Sequence, residues 1–382
     1  MSFYDVIQKY DPDRVLAEIE AKTATDVQRA LVAEQLDNHD FMALLSPAAE
    51  NFLEQMAQKA HSITLRRFGR TVLLYAPIYL SNECHNGCLY CGFSVHNKVP
   101  RRTLTLDEIE RDAQILHNQG FRHVLLLTGE APGRVGNEFI AAAAERIRPL
   151  FSSIGIEVYP METSGYKEMV DAGIDALTIY QETYDRELYA LLHPSGRKRD
   201  YRFRLETPER GGNAGLRRIG LGFLLGLGNF RREAFFAGLH GRYLAHHYWR
   251  TLLTVSFPRL RPAEGGYQPP NPVSDRQFVQ LICAMRLLLH DAGLVLSTRE
   301  SAELRDNLLP LGITQMSAGS CTAPGGYAER GTATEQFAID DDRTPEEIAA
   351  VLRSHGYDPV WKDWDRAFLD RDTAVRCETP GA

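Results

Sequence analysis

From residue 71 onward the chain alternates between short β-rich runs and amphipathic helical stretches, and it does so eight times. The runs are TVLLYAPIYLS (71–81), HVLLLTGEA (123–131), IEVYPMETS (156–164), ALTIYQET (176–183), IGLGFLLGL (219–227), TLLTVSFPRL (251–260), GLVLSTRES (293–301) and ITQMSAGS (313–320). Between them stand helical segments such as TLDEIERDAQILHNQGF and DRQFVQLICAMRLLLHDAG, several of them closed by glycine. Strand–helix alternation means parallel strands joined by right-handed crossovers. Eight such units predict a closed (β/α)8 barrel of the TIM type, with a partly open barrel of six units as the alternative.

The flanks differ from this pattern. Residues 1–70 place apolar side chains at three- and four-residue intervals and read as a helical N-terminal extension. The barrel is expected over 71–340. A C-terminal helix and aromatic-rich tail, 341–382, is expected to pack across it. TPERGGNAGLRR (207–218) reads as a flexible loop or short helix.

With 44% hydrophobic and 24% charged residues, the 382-residue chain has material for a large core. A net charge of -7 offers no basic field for nucleic acid, so no nucleic-acid partner is expected. No apolar run is long enough to span a membrane, and the N-terminus has no secretory pattern. Both point to the cytoplasm, where thiols stay reduced and clustered cysteines serve metals or catalysis.

Half of the six cysteines fall within SNECHNGCLYCGFS, as Cys84, Cys88 and Cys91, directly after the first β-rich run. Three thiolates at C-x3-C-x2-C spacing hold three corners of a metal centre. Either His85 or His96 completes a zinc site, or the three ligate a [4Fe–4S] cluster with one iron left open. Such barrels carry their chemistry where strands end. Those positions hold Glu130 after the second run, Glu162 in the third, Glu182 after the fourth, Arg299 after the seventh and Ser317 in the eighth.

The spacing, the aromatic Tyr90 before the third cysteine and the place after the first strand resemble the radical S-adenosylmethionine (SAM) superfamily. The resemblance implies a radical SAM barrel, a [4Fe–4S] cluster on Cys84, Cys88 and Cys91, and S-adenosyl-L-methionine on its open iron. It further implies that Tyr90, Gly129, Glu130, Glu162, Glu182 and Arg204 bind the cofactor, with IGLGFLLGL supporting the adenine.

Longer stretches narrow the match. METSGYKEMVDAGID, IYQETYDRELYALLHPSGRKRDYRFRLETPERGG, LSTRESAELRDNLLPLGITQMSAGSCTAPGGY and GYDPVWKDWDRAF are similar to the tyrosine lyases of thiamin thiazole biosynthesis over nearly the whole chain. That resemblance implies cleavage of the Cα–Cβ bond of L-tyrosine to 2-iminoacetate (dehydroglycine) and p-cresol, with 5′-deoxyadenosine and methionine formed. A thiazole synthase is the implied protein partner, and flavodoxin or ferredoxin the implied reductant. Arg299, a planar fork suited to a carboxylate, is the candidate anchor for tyrosine, with Ser317 beside it; a surface ion pair to Glu300 or Glu303 is the bland alternative for Arg299.

Two other readings remain: lysis of tryptophan, and a zinc-stabilised scaffold. The related lyase that matures [FeFe] hydrogenase carries a second cluster on a C-terminal cysteine motif. Here only Cys377 follows Cys321, so that role is disfavoured. Cys283 reads as core, Cys321 as structural and His246–His247 as a packed helix end.

Overall fold

The computed structural model describes residues 2–329, 331 and 333–365. Eight strands form the barrel: β1 (Thr71–Ser81), β2 (His123–Thr128), β3 (Ser153–Glu157), β4 (Ala176–Glu182), β5 (Arg218–Phe223), β6 (Leu252–Ser256), β7 (Gly293–Leu296) and β8 (Gln315–Ser317). They pair in chain order, all parallel, and β1 pairs with both β8 and β2, so the barrel is closed. Most strand residues are buried, because helices cover the outer face; this is why the runs read as nearly continuous apolar sequence.

Helix starts follow local chemistry. Thr105, Ser274 and Thr344 each cap a helix, accepting the backbone amide three residues on and donating their own amide to the acid or glutamine side chain there. In the N-terminal segment, the helices Asn38–Leu45 and Leu53–Phe68 pack on the barrel helix Asp275–Leu288. There the buried amide of Gln280 donates to the carbonyls of Leu44 (2.9 Å) and Ser46 (2.8 Å).

Two features differ from the sequence reading, β3 and a ninth strand, and the segment 207–218 takes the short-helix alternative. β3 lies earlier than the predicted 156–164 and ends at Glu157; Pro160 leaves the ladder, and Glu162 becomes the N-cap residue of the helix Thr163–Asp171. Residues 207–218 contain the helix Thr207–Ala214, ended by Gly215 in the left-handed region. A ninth strand, β9 (Asp358–Val360), runs beside Thr71–Leu73, where β2 has not yet begun to pair with β1. The chain then crosses the lower end of the barrel. Trp361 packs edge-on against Phe121 (5.2 Å between centroids), and Asp363 pairs with His123 (2.9 Å) and Arg218 (3.2 Å). Among the described residues no helix is long and apolar enough to cross a membrane.

At the upper end, a long connection after β8 is tied down by charge. The fully buried Arg305 pairs with Asp341, and Arg343 bonds both Asp341 (2.7 Å) and Asp306 (2.9 Å). Within this connection Gln336 accepts from the Gly92 amide through its carbonyl (3.2 Å), and the Ala338 amide donates to the Pro262 carbonyl (2.9 Å). Gln336 and Phe337 are thereby held over the barrel mouth.

Candidate active site

The cysteine loop leaves β1 at Ser81 and is braced from within. The Arg101 guanidinium donates to four of its carbonyls: Asn82 (2.8 Å), Phe93 (2.9 Å), Ser94 (2.6 Å) and Asn97 (3.2 Å). The loop is seated on the segment after β4. The Leu89 amide donates to the Leu192 carbonyl (3.1 Å) and Gly87 to Ser195 (3.2 Å). Asn86 is the central contact. Its Nδ2 donates to Glu130 (2.7 Å), and its Oδ1 accepts from the Lys198 amide (3.0 Å). Gly196 takes φ 87°, and a Cβ there would lie 2.1 Å from Asn86 Oδ1, so only glycine permits this seating.

Cys84, Cys88 and Cys91 line one cavity of about 100 Å³ together with Gly129, Glu130, Glu157, Glu182, Lys198 and Arg204. Gly129 sits so close to the loop that a Cβ would meet the Glu83 carbonyl at 2.3 Å. Burial pushes the Cys88 thiol up to about 12 and the Cys91 thiol upward as well. Thiolates in such a place need a strongly cationic centre beside them. His85 and His96 are exposed and absent from the cavity wall. Three sulfurs on one cavity wall, with neither histidine beside them, fit a [4Fe–4S] cluster.

Beside the thiols is a charged cradle. At the end of β4 the register with β5 shifts between Tyr180 and Glu182, and Glu182 takes φ 70°, a left-handed conformation that costs a residue with a Cβ about 1–2 kcal/mol. The strain turns its carboxylate inward to Lys198 Nζ (2.6 Å) and Arg204 (3.6 Å). Burial pushes the Glu182 carboxyl up, but the two cations outweigh it and hold the group below its usual range. Arg204 is fixed by a bond from Nε to the Tyr180 carbonyl (2.6 Å). Tyr90 OH meets His193 Nε2 at 2.8 Å. The other ring nitrogen of His193 faces the Tyr189 carbonyl (2.7 Å) and must donate to it, so with the imidazole neutral the tyrosine donates to Nε2.

Deeper in, Glu157 belongs to the walls of three adjoining spaces, the thiol cavity and two of about 60 Å³ each. Both smaller spaces also contain Arg299, Tyr180, Gln336 and Phe337, and one reaches Ser317. Burial, and then the Glu182 charge, pushes the Glu157 carboxyl up to about 7 against the pull of Arg299, Arg204 and Lys198. The Arg299 guanidinium lies 3.4 Å from the Phe337 ring centroid, and among the described residues it forms no ion pair. Glu300, the surface partner considered for it, is buried and bound to Arg259, whose Nε stands 2.9 Å from it. Ser317 Oγ accepts the Thr298 amide (3.1 Å), anchoring the turn that carries Arg299.

The structure thus gathers Cys84, Cys88, Cys91, Tyr90, Gly129, Glu130, Glu182, Arg204, Arg299 and Ser317 at one end of the barrel. Glu162 is exposed and absent from those three inner spaces; it lines a cleft of about 1150 Å³ that shares Asn86, Glu130, Lys198 and Arg204 with the thiol cavity, and the strand-end position belongs to Glu157. Sequence reasoning also passed over Lys198, Asn86 and Gln336. Cys283 is buried in its helix, and His247 stacks on Tyr243 (4.1 Å between centroids). Cys377 lies outside the described residues.

The match to the radical SAM superfamily covers residues 78–235, and one to the Biotin and Thiamin Synthesis associated domain covers 256–358. Over 371 residues the chain is 47% identical to the 2-iminoacetate synthase of Escherichia coli K12, covering 97% of this chain and 98% of that protein. The chain belongs to the 2-iminoacetate synthase family. The Salmonella typhimurium 2-iminoacetate synthase is 46% identical over 98% of this chain and its own full length. Among solved structures, HydG, a maturase of the [FeFe]-hydrogenase, superposes with a TM-score of 0.87 at 30% identity, covering 94% of this chain and 82% of that one. In this member of the 2-iminoacetate synthase family, the superfamily match contains the cysteine loop, Glu182 and Arg204, while the second match contains Arg299, Ser317 and Gln336. Its cofactors are those of radical SAM enzymes, a [4Fe–4S] cluster and S-adenosyl-L-methionine.

Proposed function

We propose that the protein is a radical SAM lyase that cleaves the Cα–Cβ bond of L-tyrosine to 2-iminoacetate and p-cresol. The observation that carries this is 47% identity to a 2-iminoacetate synthase over 97% of the chain. The internal geometry supports it, since a set of adjoining cavities leads from three thiols to an arginine with no ion-pair partner among the described residues. When bound, the reduced cluster and S-adenosyl-L-methionine supply a 5′-deoxyadenosyl radical.

The chain's own residues do the rest. Cys84, Cys88 and Cys91 hold the iron. Glu130, Glu182 and Arg204, with Tyr90 and Gly129 alongside, form the cofactor cradle, and Lys198 holds the Glu182 carboxylate within it. Arg299 takes the tyrosine carboxylate through its planar fork, and Ser317 fixes the turn that aims it. A substrate amine lies one carbon from its carboxylate, which brings it to Glu157. A Glu157 carboxylate oxygen accepts a proton from the ammonium, leaving a neutral amine and a protonated carboxyl. Tyr75, Tyr79 and Tyr180 wall the remaining space, and Tyr79 is fixed by its bond to Gln336 (2.7 Å).

2-Iminoacetate reacts with water, so direct transfer to a thiazole synthase suits the product. Free, reduced cysteines holding a cluster suit the cytoplasm. The test is anaerobic incubation of reconstituted protein with S-adenosylmethionine, dithionite and L-tyrosine, followed by chromatography. 5′-Deoxyadenosine with p-cresol is expected. Deoxyadenosine without p-cresol would overturn the substrate, and tryptophan would be tried next.

A further inference from the structure

The connection after β8 reaches back over the barrel and sets one side chain between the thiols and the space for tyrosine. Gln336 belongs to the walls of all three inner spaces. Its backbone is hooked twice: the amide donates to the Thr322 carbonyl (3.0 Å), and the carbonyl accepts from the Gly92 amide (3.2 Å). Gly92 follows Cys91, and a Cβ there would lie 2.7 Å from the Gln336 carbonyl oxygen and 2.9 Å from that of Glu335. The two chains can approach this closely only because the residue after the third cysteine has no side chain.

The side chain is fixed from both sides. Tyr79 OH donates to Gln336 Oε1 (2.7 Å), and Gln336 Nε2 faces Cys91 Sγ at 3.8 Å. Tyr79 is buried, and burial pushes its hydroxyl far above the usual tyrosine range, so it stays protonated and donates. A thiolate sulfur only accepts, so the amide nitrogen, and not the amide oxygen, must be turned to Cys91. Both contacts demand the same orientation of the amide. The sulfur also receives the Phe93 backbone amide.

Reduction adds one negative charge to an iron–sulfur centre, and part of it rests on the ligand sulfurs. A donor aimed at such a sulfur favours the reduced form and raises the potential. Around the thiol cavity Glu157 and Glu182 oppose Lys198 and Arg204. The neutral Gln336 amide adds a directed dipole to this setting and no charge. We propose that Gln336 is a positioning residue for the redox centre: its amide, aligned by Tyr79, donates to the Cys91 sulfur and raises the potential at which the [4Fe–4S] centre accepts its electron. Tyr79 also walls the space for tyrosine, so one hydrogen-bonded link joins that wall to a cluster ligand.

This inference rests on the radical SAM reading, and the experiment separates the two. Native protein, Gln336→Met, Gln336→Glu and Tyr79→Phe are reconstituted anaerobically and their iron and sulfide are counted. Midpoint potentials are then measured by redox titration followed by electron paramagnetic resonance, without S-adenosylmethionine or tyrosine. Methionine keeps the length of the side chain and removes the donor. Glutamate keeps the acceptor for Tyr79 and removes the donor. In Gln336→Met the ratio of reduced to oxidised centre at the native midpoint is expected to fall about tenfold, a downward shift of about 59 mV for one electron. Gln336→Glu should fall at least as far, and Tyr79→Phe by less in the same direction. Tyr79→Phe leaves the connection after β8 intact, so it reads the same link if a Gln336 variant fails to take up iron. An unchanged potential in Gln336→Met, or a native potential in Gln336→Glu, would overturn the proposal. An unchanged potential in Tyr79→Phe would overturn the alignment by Tyr79. A native protein that loads and titrates its cluster but forms no p-cresol would defeat the lyase reading, while the potentials would still decide the role of Gln336.

Discussion

Lys198 Nζ stands 2.6 Å from Glu182 Oε1, joining a residue from the loop after β4 to the strained end of that strand. Both are buried, and removing Lys198 leaves the Glu182 carboxylate with Arg204 alone, 3.6 Å away. Lys198→Met is expected to destabilise the fold by about 1–3 kcal/mol, the loss of a charge-assisted hydrogen bond. S-adenosylmethionine affinity should fall about 10–100-fold with it. Thermal unfolding and equilibrium dialysis measure the two effects. Unchanged affinity would remove Lys198 from the cofactor cradle.

The three thiols share one cavity, so none can replace another. Cys88→Ala is expected to lose most of its iron and sulfide on anaerobic reconstitution, together with the brown absorbance and all turnover. Full iron content in the variant would refute the ligand assignment.

Arg299 has no carboxylate partner among the described residues, and Phe337 stacks on its guanidinium. Arg299→Ala is expected to raise the tyrosine KM about 10–100-fold, the equivalent of losing about 1.5–3 kcal/mol in charge-assisted hydrogen bonds. Iron content should not change. Arg299→Lys should recover little, because a point charge cannot make the two-pronged bond.

Glu157 gives a pH signature. Its carboxyl is raised from the ordinary 4.5 to about 7, so below that pH it is protonated and cannot accept the substrate's proton. Turnover is expected to rise with pH through about 7 in the native protein, and to be low and lack that limb in Glu157→Gln. Stability runs the opposite way. A carboxyl raised in the folded state contributes fully below its unfolded value of 4.5, and that contribution is lost as pH rises through about 7. Glu157→Gln should flatten this part of the unfolding profile in urea titrations at pH 5 and pH 8.

Much of this site could be read from the chain because each strand end exposes a short, polar signature. Glu130, Glu182 and Arg299 follow apolar runs, and period and termination locate them. Glu157 was passed over because β3 begins in Ser153-Ile154-Gly155, where small residues resemble a loop, so the run was read three residues late and its end assigned to Glu162. Lys198 sits in Gly-Arg-Lys-Arg, a stretch indistinguishable by composition from a solvated loop; only its seat against Asn86 turns it inward. Gln336 lies 245 residues from Cys91, whose sulfur it approaches at 3.8 Å. No local pattern reports a contact over that separation. β9 was equally silent, being three residues whose pairing exists because β1 starts before β2.

Asn86 belongs to the cysteine loop, yet its side chain holds Glu130 on one side and the Lys198 backbone on the other. The acid follows β2 and the lysine follows β4, with β3 between them on the rim, and no direct bond between them is seen among the described residues. The loop that presents the thiols is therefore also the clasp of the cofactor cradle. A chain whose loop has not closed has neither site, so the metal seat and the pocket for the small molecule stand or fall together.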